Sequence, residues 1–139
     1  MTVVTKTIRL GTKGNCDMID ITAEIAREIS NSNIANGIAT IFIAGSTAGI
    51  TTIEYESGLI SDLKGMWERN VPLNISYQHD RRWGDGNGFS HVRAALQGPS
   101  LVVPFMNKKM TLGTWQQIVV IDFDNRPRTR EIALQLLGD

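Results

Sequence analysis

Both histidines of the chain fall in one segment, Tyr77-Gln78-His79-Asp80-Arg81-Arg82-Trp83-Gly84-Asp85-Gly86-Asn87-Gly88-Phe89-Ser90-His91-Val92-Arg93. Glycines at 84, 86 and 88 let a backbone approach a ligand without side-chain clash. A helix starting near Ser90 would aim free amides into that loop, the physics of an anion site. Arg81, Arg82 or Arg93 would add charge-assisted donors. The segment therefore reads as a phosphate site built on Asp85, Gly86, Asn87, Gly88 and Arg93. His79 and His91 are candidate ligands for a divalent metal, zinc included, since neutral imidazole suits it. Two histidines do not complete a site, so a third ligand is needed from Glu54, Asp80, Asp85 or another subunit.

Other patterns lead away from chemistry. Asp85-Gly86-Asn87-Gly88-Phe89 opens like a calcium loop, but Phe89 fills a ligand position and Leu96 stands where the bidentate Glu belongs. Gly45-Ser46-Thr47-Ala48-Gly49 mimics a nucleophile elbow without the central serine. Arg126, Arg128 and Arg130, offset by Asp122, Asp124 and Glu131, read as a solvated strand edge. Cys16 reads as a buried free thiol.

The elements that must hold these residues follow from periodicity. Val3 to Leu10 alternates and reads as a strand. Ile21, Ile25 and Ile29 mark one helical face, with Asp20 or Thr22 as cap. Ile38–Ala44 and Ile50–Tyr55 suit paired strands around the Gly45–Gly49 turn. Leu59, Ile60, Leu63, Met66 and Trp67 form a second helical stripe, with Ser57 as cap. Leu73–Tyr77 reads as a short strand, Ser90–Leu96 as a short helix, and Ser100–Phe105, Leu112–Phe123 and Arg130–Leu137 as late strands. Leu112–Phe123 is apolar beyond Gln117, as if a second sheet or a partner subunit covered it. Trp115, placed in that strand, reads as a core residue. The order predicts one α+β domain over residues 1–139, a mostly antiparallel sheet or sandwich with two to three helices.

Composition bounds the function. The chain has 139 residues, 42% of them hydrophobic, with 14 basic against 14 acidic side chains. A non-specific nucleic-acid binder carries a basic excess, which is absent here. No apolar run approaches the roughly 18 residues of a membrane span. One cysteine excludes an intramolecular disulfide and fits a cytoplasmic protein.

Taken in order, Gly45–Glu56, Tyr77-Gln78-His79-Asp80, Gly84-Asp85-Gly86-Asn87-Gly88, His91-Val92-Arg93-Ala94 and Leu112-Gly113-Thr114-Trp115-Gln116-Gln117 resemble the YjbQ-like family, whose members are named secondary thiamine-phosphate synthases. The resemblance covers nearly the whole chain and implies a homotrimer with sites near subunit boundaries. It implies weak joining of a thiazole phosphate to a pyrimidine pyrophosphate, with Glu54, His79 and His91 as catalytic residues and a divalent metal on His79 and His91. A non-enzymatic homotrimer binding a metal or anion is the alternative. Two positions depart from the family pattern: Gly45-Ser46 and Phe89 stand where relatives often carry histidine.

Overall fold

The computed structural model describes residues 1–139. Twelve elements follow in chain order: β1 (Thr2–Thr12), β2 (Asp17–Asp20), α1 (Thr22–Asn31), β3 (Gly37–Ile43), β4 (Ala48–Ile53), α2 (Ser57–Asn70), α3 (Gln78–Trp83), α4 (Gly88–Gln97), β5 (Ser100–Met106), β6 (Lys109–Met110), β7 (Gln117–Asp122) and β8 (Arg128–Gly138). A five-stranded sheet has the order β1-β8-β3-β5-β6, and a three-stranded sheet the order β2-β7-β4. Every pairing is antiparallel. The α+β expectation holds, with four helices rather than two or three.

Two apolar layers meet on β7. Ile118 and Val120 point into the core between the sheets, with Ile25 and Ile29 of α1 and Ile132, Leu134 and Leu136 of β8. Val119 and Ile121 point the other way, onto Trp67 of α2 and Phe89 and Ala94 of α4. Successive strand side chains face opposite sides, so a strand buried between a sheet and helices must be apolar at every position. The second sheet is half of the cover expected over this run, and helices are the other half.

Several local expectations are corrected. The strands flanking Gly45–Gly49 do not pair: β3 lies between β8 and β5, while β4 pairs with β7 in the other sheet. The turn carries the chain across the sandwich. Leu73–Tyr77 forms no strand, and the Tyr77 hydroxyl donates to the Pro72 carbonyl at 2.6 Å. Leu112–Gln116 is a turn, not strand: Gln116 N–H donates to the Gly113 carbonyl, and the Gly113 N–H to Gln116 Oε1. Gln116 Nε2 also donates to Thr52 Oγ1. This leaves Trp115 72% exposed rather than in the core. Glu56, not Ser57, caps α2, accepting from the Gly58 and Leu59 amides. Asp20 does serve α1, accepting from the Thr22 amide and hydroxyl. The short strands β2 and β6 and the helix α3 carry too few periodic positions to read from sequence. Cys16 is buried as expected, and burial pushes its thiol pKa up.

Candidate functional site

Spacing of four brings the candidate residues together twice. His79 and Trp83 lie one turn apart on α3, and Asn87 and His91 are equally spaced at the start of α4, so each pair shares a helix face. The two helices meet at Gly88, where a β-carbon would sit 2.6 Å from Tyr77 Cβ, closer than any real side chain tolerates. That contact stacks the imidazoles of His79 and His91 with centroids 4.3 Å apart and planes tilted by 38°. Together with Asp85 they form one wall of a cleft of about 370 Å³. Gly45, Ser46, Thr47, Arg128 and Arg130 form the other.

The floor is a buried charge network. Asp122 and Asp124 have no exposed surface, and Arg130 is only 7% exposed. Arg130 donates from Nε to Asp122 Oδ2 at 2.7 Å and from Nη2 to Asp122 Oδ1 at 2.8 Å. Nη2 also donates to Thr47 Oγ1. Thr12 Oγ1 donates to Asp122 as well. Arg128 Nε donates to Asp124 at 2.8 Å, as do Thr47 Oγ1 and Asn87 Nδ2 at longer range. The remaining arm of Arg130, Nη1, makes no hydrogen bond within the chain. It lies against Gly45, whose β-carbon would come within 2.7 Å of it, and Gly45 has the left-handed φ of 122°. With Nε and Nη2 clamped by Asp122, the guanidinium could not swing clear of such a β-carbon.

Burial raises Asp124, but hydrogen bonds from the Asn125 amide and the Asn87, Thr47 and Arg128 side chains outweigh it and hold its carboxyl below the ordinary range. A lowered folded-state value stabilises the fold fully above the ordinary carboxylate value, and that stability is lost as pH falls through the folded value. The stability gap between wild type and Asp124→Asn is therefore expected to stay constant from pH 8 to 5 and to narrow below about pH 4. Urea unfolding at stepped pH measures it, and a gap that widens on acidification would refute the assignment. His91 is held below its ordinary value, first by burial and then by the neighbouring His79.

The donor set at His79 is compatible with a cation. Its Nδ1 is buried without a hydrogen-bond partner. Asp85 Oδ1 lies 3.5 Å from it and Asp80 Oδ1 3.6 Å. Adjacent ligands around an ion with bonds of about 2.1 Å sit about 3.0–3.4 Å apart, so small movements would complete the set. Both carboxylates were among the third-ligand candidates. His91 stands outside this cluster of His79, Asp80 and Asp85.

Other expected site residues are elsewhere. Arg93 is 4% exposed and donates to the Val71 carbonyl and to Glu68, away from the cleft. Three helix-start amides are also spent: Gly88 N–H donates to Asp80 Oδ1, and Ser90 and His91 N–H to the Asn87 carbonyl. Gly86 does not line the cleft; its φ of 68° turns the loop. Asp85 and Asn87 do line it, so an anion there would meet arginine rather than backbone. Glu54 opens with Trp115 onto a separate cleft shared with Asp20, Tyr55, Glu56 and Gln117.

Arg128 and Arg130, expected as a solvated rim, are the site's basic groups. Their signal was available: Arg130 has the same strand parity as the core residues Ile132, Leu134 and Leu136. Trp83, 67% exposed on the cleft wall with the Arg82 guanidinium 5.4 Å from its ring centre, was also missed.

A profile described as "UPF0047 protein YjbQ-like" matches residues 6–139. The chain belongs to this family. A UPF0047 protein of Methanothermobacter thermautotrophicus is 41% identical over 138 residues, covering 99% of this chain and 94% of that one. The UPF0047 protein YugU of Bacillus subtilis is 33% identical, covering 96% and 98%. A YbjQ-like protein of Sulfolobus solfataricus, described as of unknown function, superposes with a TM-score of 0.93 at 31% identity, covering 99% of both chains.

Within the UPF0047 fold the positions Gly45-Ser46 and Phe89 lie in different surroundings. Gly45 and Ser46 line the cleft. Phe89 is 3% exposed and packs in the core with Trp67 and Phe123, away from the cleft. No helix is long and apolar enough to cross a membrane.

Proposed function

We propose that the cleft binds a phosphorylated small molecule together with a divalent cation, and that it joins a thiazole phosphate to a pyrimidine pyrophosphate as a secondary thiamine-phosphate synthase. One observation carries the reading: the unpartnered Nη1 of buried Arg130 faces the cleft that His79 and Asp85 of the His79–Asp80–Asp85 donor cluster also line. In the reaction the pyrimidine methylene carbon loses pyrophosphate, which leaves with the electron pair, and bonds to the thiazole nitrogen. No proton is abstracted, so the chain needs to supply charge stabilisation and positioning rather than a base. Arg130, held rigid by Asp122, would donate to the departing phosphate without reorganising. A cation held by His79, Asp80 and Asp85 would neutralise phosphate charge. Trp83 offers an exposed ring face beside the phosphate site.

One observation favours a binding protein without its own reaction. Glu54, to which the resemblance gives a catalytic role, opens onto another cleft. The test is elemental analysis of chelator-free protein, followed by thiamine-phosphate assay with both precursors. Wild type is expected to hold about one divalent ion per chain and to turn over, and His79→Ala to lose at least ten-fold in metal affinity with its fold intact. Ligand retention without turnover selects the binding protein; metal undiminished in His79→Ala overturns the cation assignment.

A homotrimer belongs to this proposal. The outer face of the five-stranded sheet aligns Val3, Leu137, Ile38 and Pro104 in one row across four strands, with Phe42 and Val102 exposed beside it. An apolar sheet face of this extent is the kind a partner covers. Native mass spectrometry reads the stoichiometry directly.

A further inference from the structure

The charge around the cleft argues against a bare anion as its ligand. Arg128 and Arg130 are the only basic side chains on its walls apart from the histidines. Each is already matched by a buried carboxylate, Asp124 and Asp122 respectively. Asp80 and Asp85 at His79 add two more. Two guanidinium groups thus stand against four carboxylates, a net charge of −2 with neutral imidazoles. Protonating both imidazoles brings the balance only to zero. Arg82 lies beyond Trp83 in solvent, where screening weakens its reach. A phosphate dianion entering alone would meet repulsion at the carboxylates even while Arg130 Nη1 offers it a donor.

A divalent cation alone balances the carboxylates but leaves Nη1 without an acceptor. The unpartnered donor and the unbalanced carboxylates are complementary, and both are met when cation and phosphate arrive together. We infer that the cleft selects a phosphate ligand as its divalent-cation complex, so that cation and phosphate bind cooperatively. This rests on the proposed reading of the cleft as a phosphate and cation site. Linkage makes the effect reciprocal: whatever factor the cation adds to phosphate affinity, phosphate adds to cation affinity.

Asp85 distinguishes this coupling from two independent sites. Its carboxylate is half exposed, and Asn125 Nδ2 holds the loop through the Asp85 backbone carbonyl rather than its side chain. Asp85→Asn can therefore remove charge without releasing the loop. If the acidic cluster repels free phosphate, the variant weakens cation binding and strengthens cation-free phosphate binding, two effects of opposite sign.

The experiment is isothermal titration of the intact protein with Mn²⁺ alone, pyrophosphate alone in chelator, and each in the presence of the other, corrected for their association in solution. Wild type is expected to bind pyrophosphate at least ten-fold more tightly with Mn²⁺, and Mn²⁺ more tightly with pyrophosphate by the same factor. Asp85→Asn is expected to lose about ten-fold or more in Mn²⁺ affinity while gaining several-fold for pyrophosphate in chelator. Equal pyrophosphate affinity with and without Mn²⁺, or a variant weakened for both, overturns the coupling and leaves the site standing. Binding of neither ligand by wild type overturns the reading of the cleft and the coupling with it.

Discussion

Replacing Asp122 with Ala is expected to destabilise the protein by about 3–5 kcal/mol, the cost of leaving a buried guanidinium without its carboxylate. Asp122 has no exposed surface and receives two donors from Arg130, with Thr12 Oγ1 and the Asp124 amide as further donors. Removing it takes the acceptor from Arg130 Nε and from the Asp124 amide, and leaves Arg130 Nη2 with only Thr47 Oγ1 and Thr12 Oγ1 with only the Arg128 carbonyl. For a chain of this length the loss corresponds to a fall in Tm of roughly 10–20 °C. Calorimetry of the variant measures it. A fall of under about 3 °C would mean that the network rearranges freely and that Arg130 is not rigidly held.

Arg130→Lys is expected to separate that structural role from binding. Lysine keeps a positive charge near Asp122 but is a single point donor, unable to grip the carboxylate with two nitrogens and hold a third over Gly45. A charge-assisted hydrogen bond lost from the ligand is worth about 1.5–3 kcal/mol. Pyrophosphate affinity in the presence of Mn²⁺ is therefore expected to fall about ten- to a hundred-fold, while circular dichroism stays that of wild type. Because lysine leaves the His79 cluster untouched, Mn²⁺ affinity without pyrophosphate should hold within about two-fold. Unchanged pyrophosphate affinity would move the anion away from Arg130.

Arg93 and Arg130 show how far local spacing reaches. Both are nearly buried arginines in charge-rich stretches. Arg93 follows His91 by two positions and so invited a place in the site. Yet α4 turns by about 100° per residue, which sends 93 to the face opposite 91. There it donates to Val71 and Glu68 beneath α2. Arg130 lies 39 positions beyond His91 and gave no local hint. The antiparallel run of β8 back along the five-stranded sheet carries it to the end of β7, beside the histidines. Trp115 erred in the opposite direction, since a turn closed by Gln116 rather than strand pairing set its exposure.

Periodicity and composition suffice for the helices α1, α2 and α4, most long strands, the α+β class, the neutral charge balance and the segment that holds both histidines. Each depends on neighbours within a few residues, where periodicity and capping act. The ordered motifs of the sequence also carried the UPF0047 resemblance, because such motifs need no knowledge of contacts. Long-range packing places β3 and β4 in different sheets, turns Glu54 to another cleft, and builds the site's basic wall from Arg128 and Arg130. Those outcomes depend on which distant strand edges pair and which charges can be buried only with a partner. That partner, Asp122 for Arg130, is identified by closure of the sandwich and not by spacing along the chain.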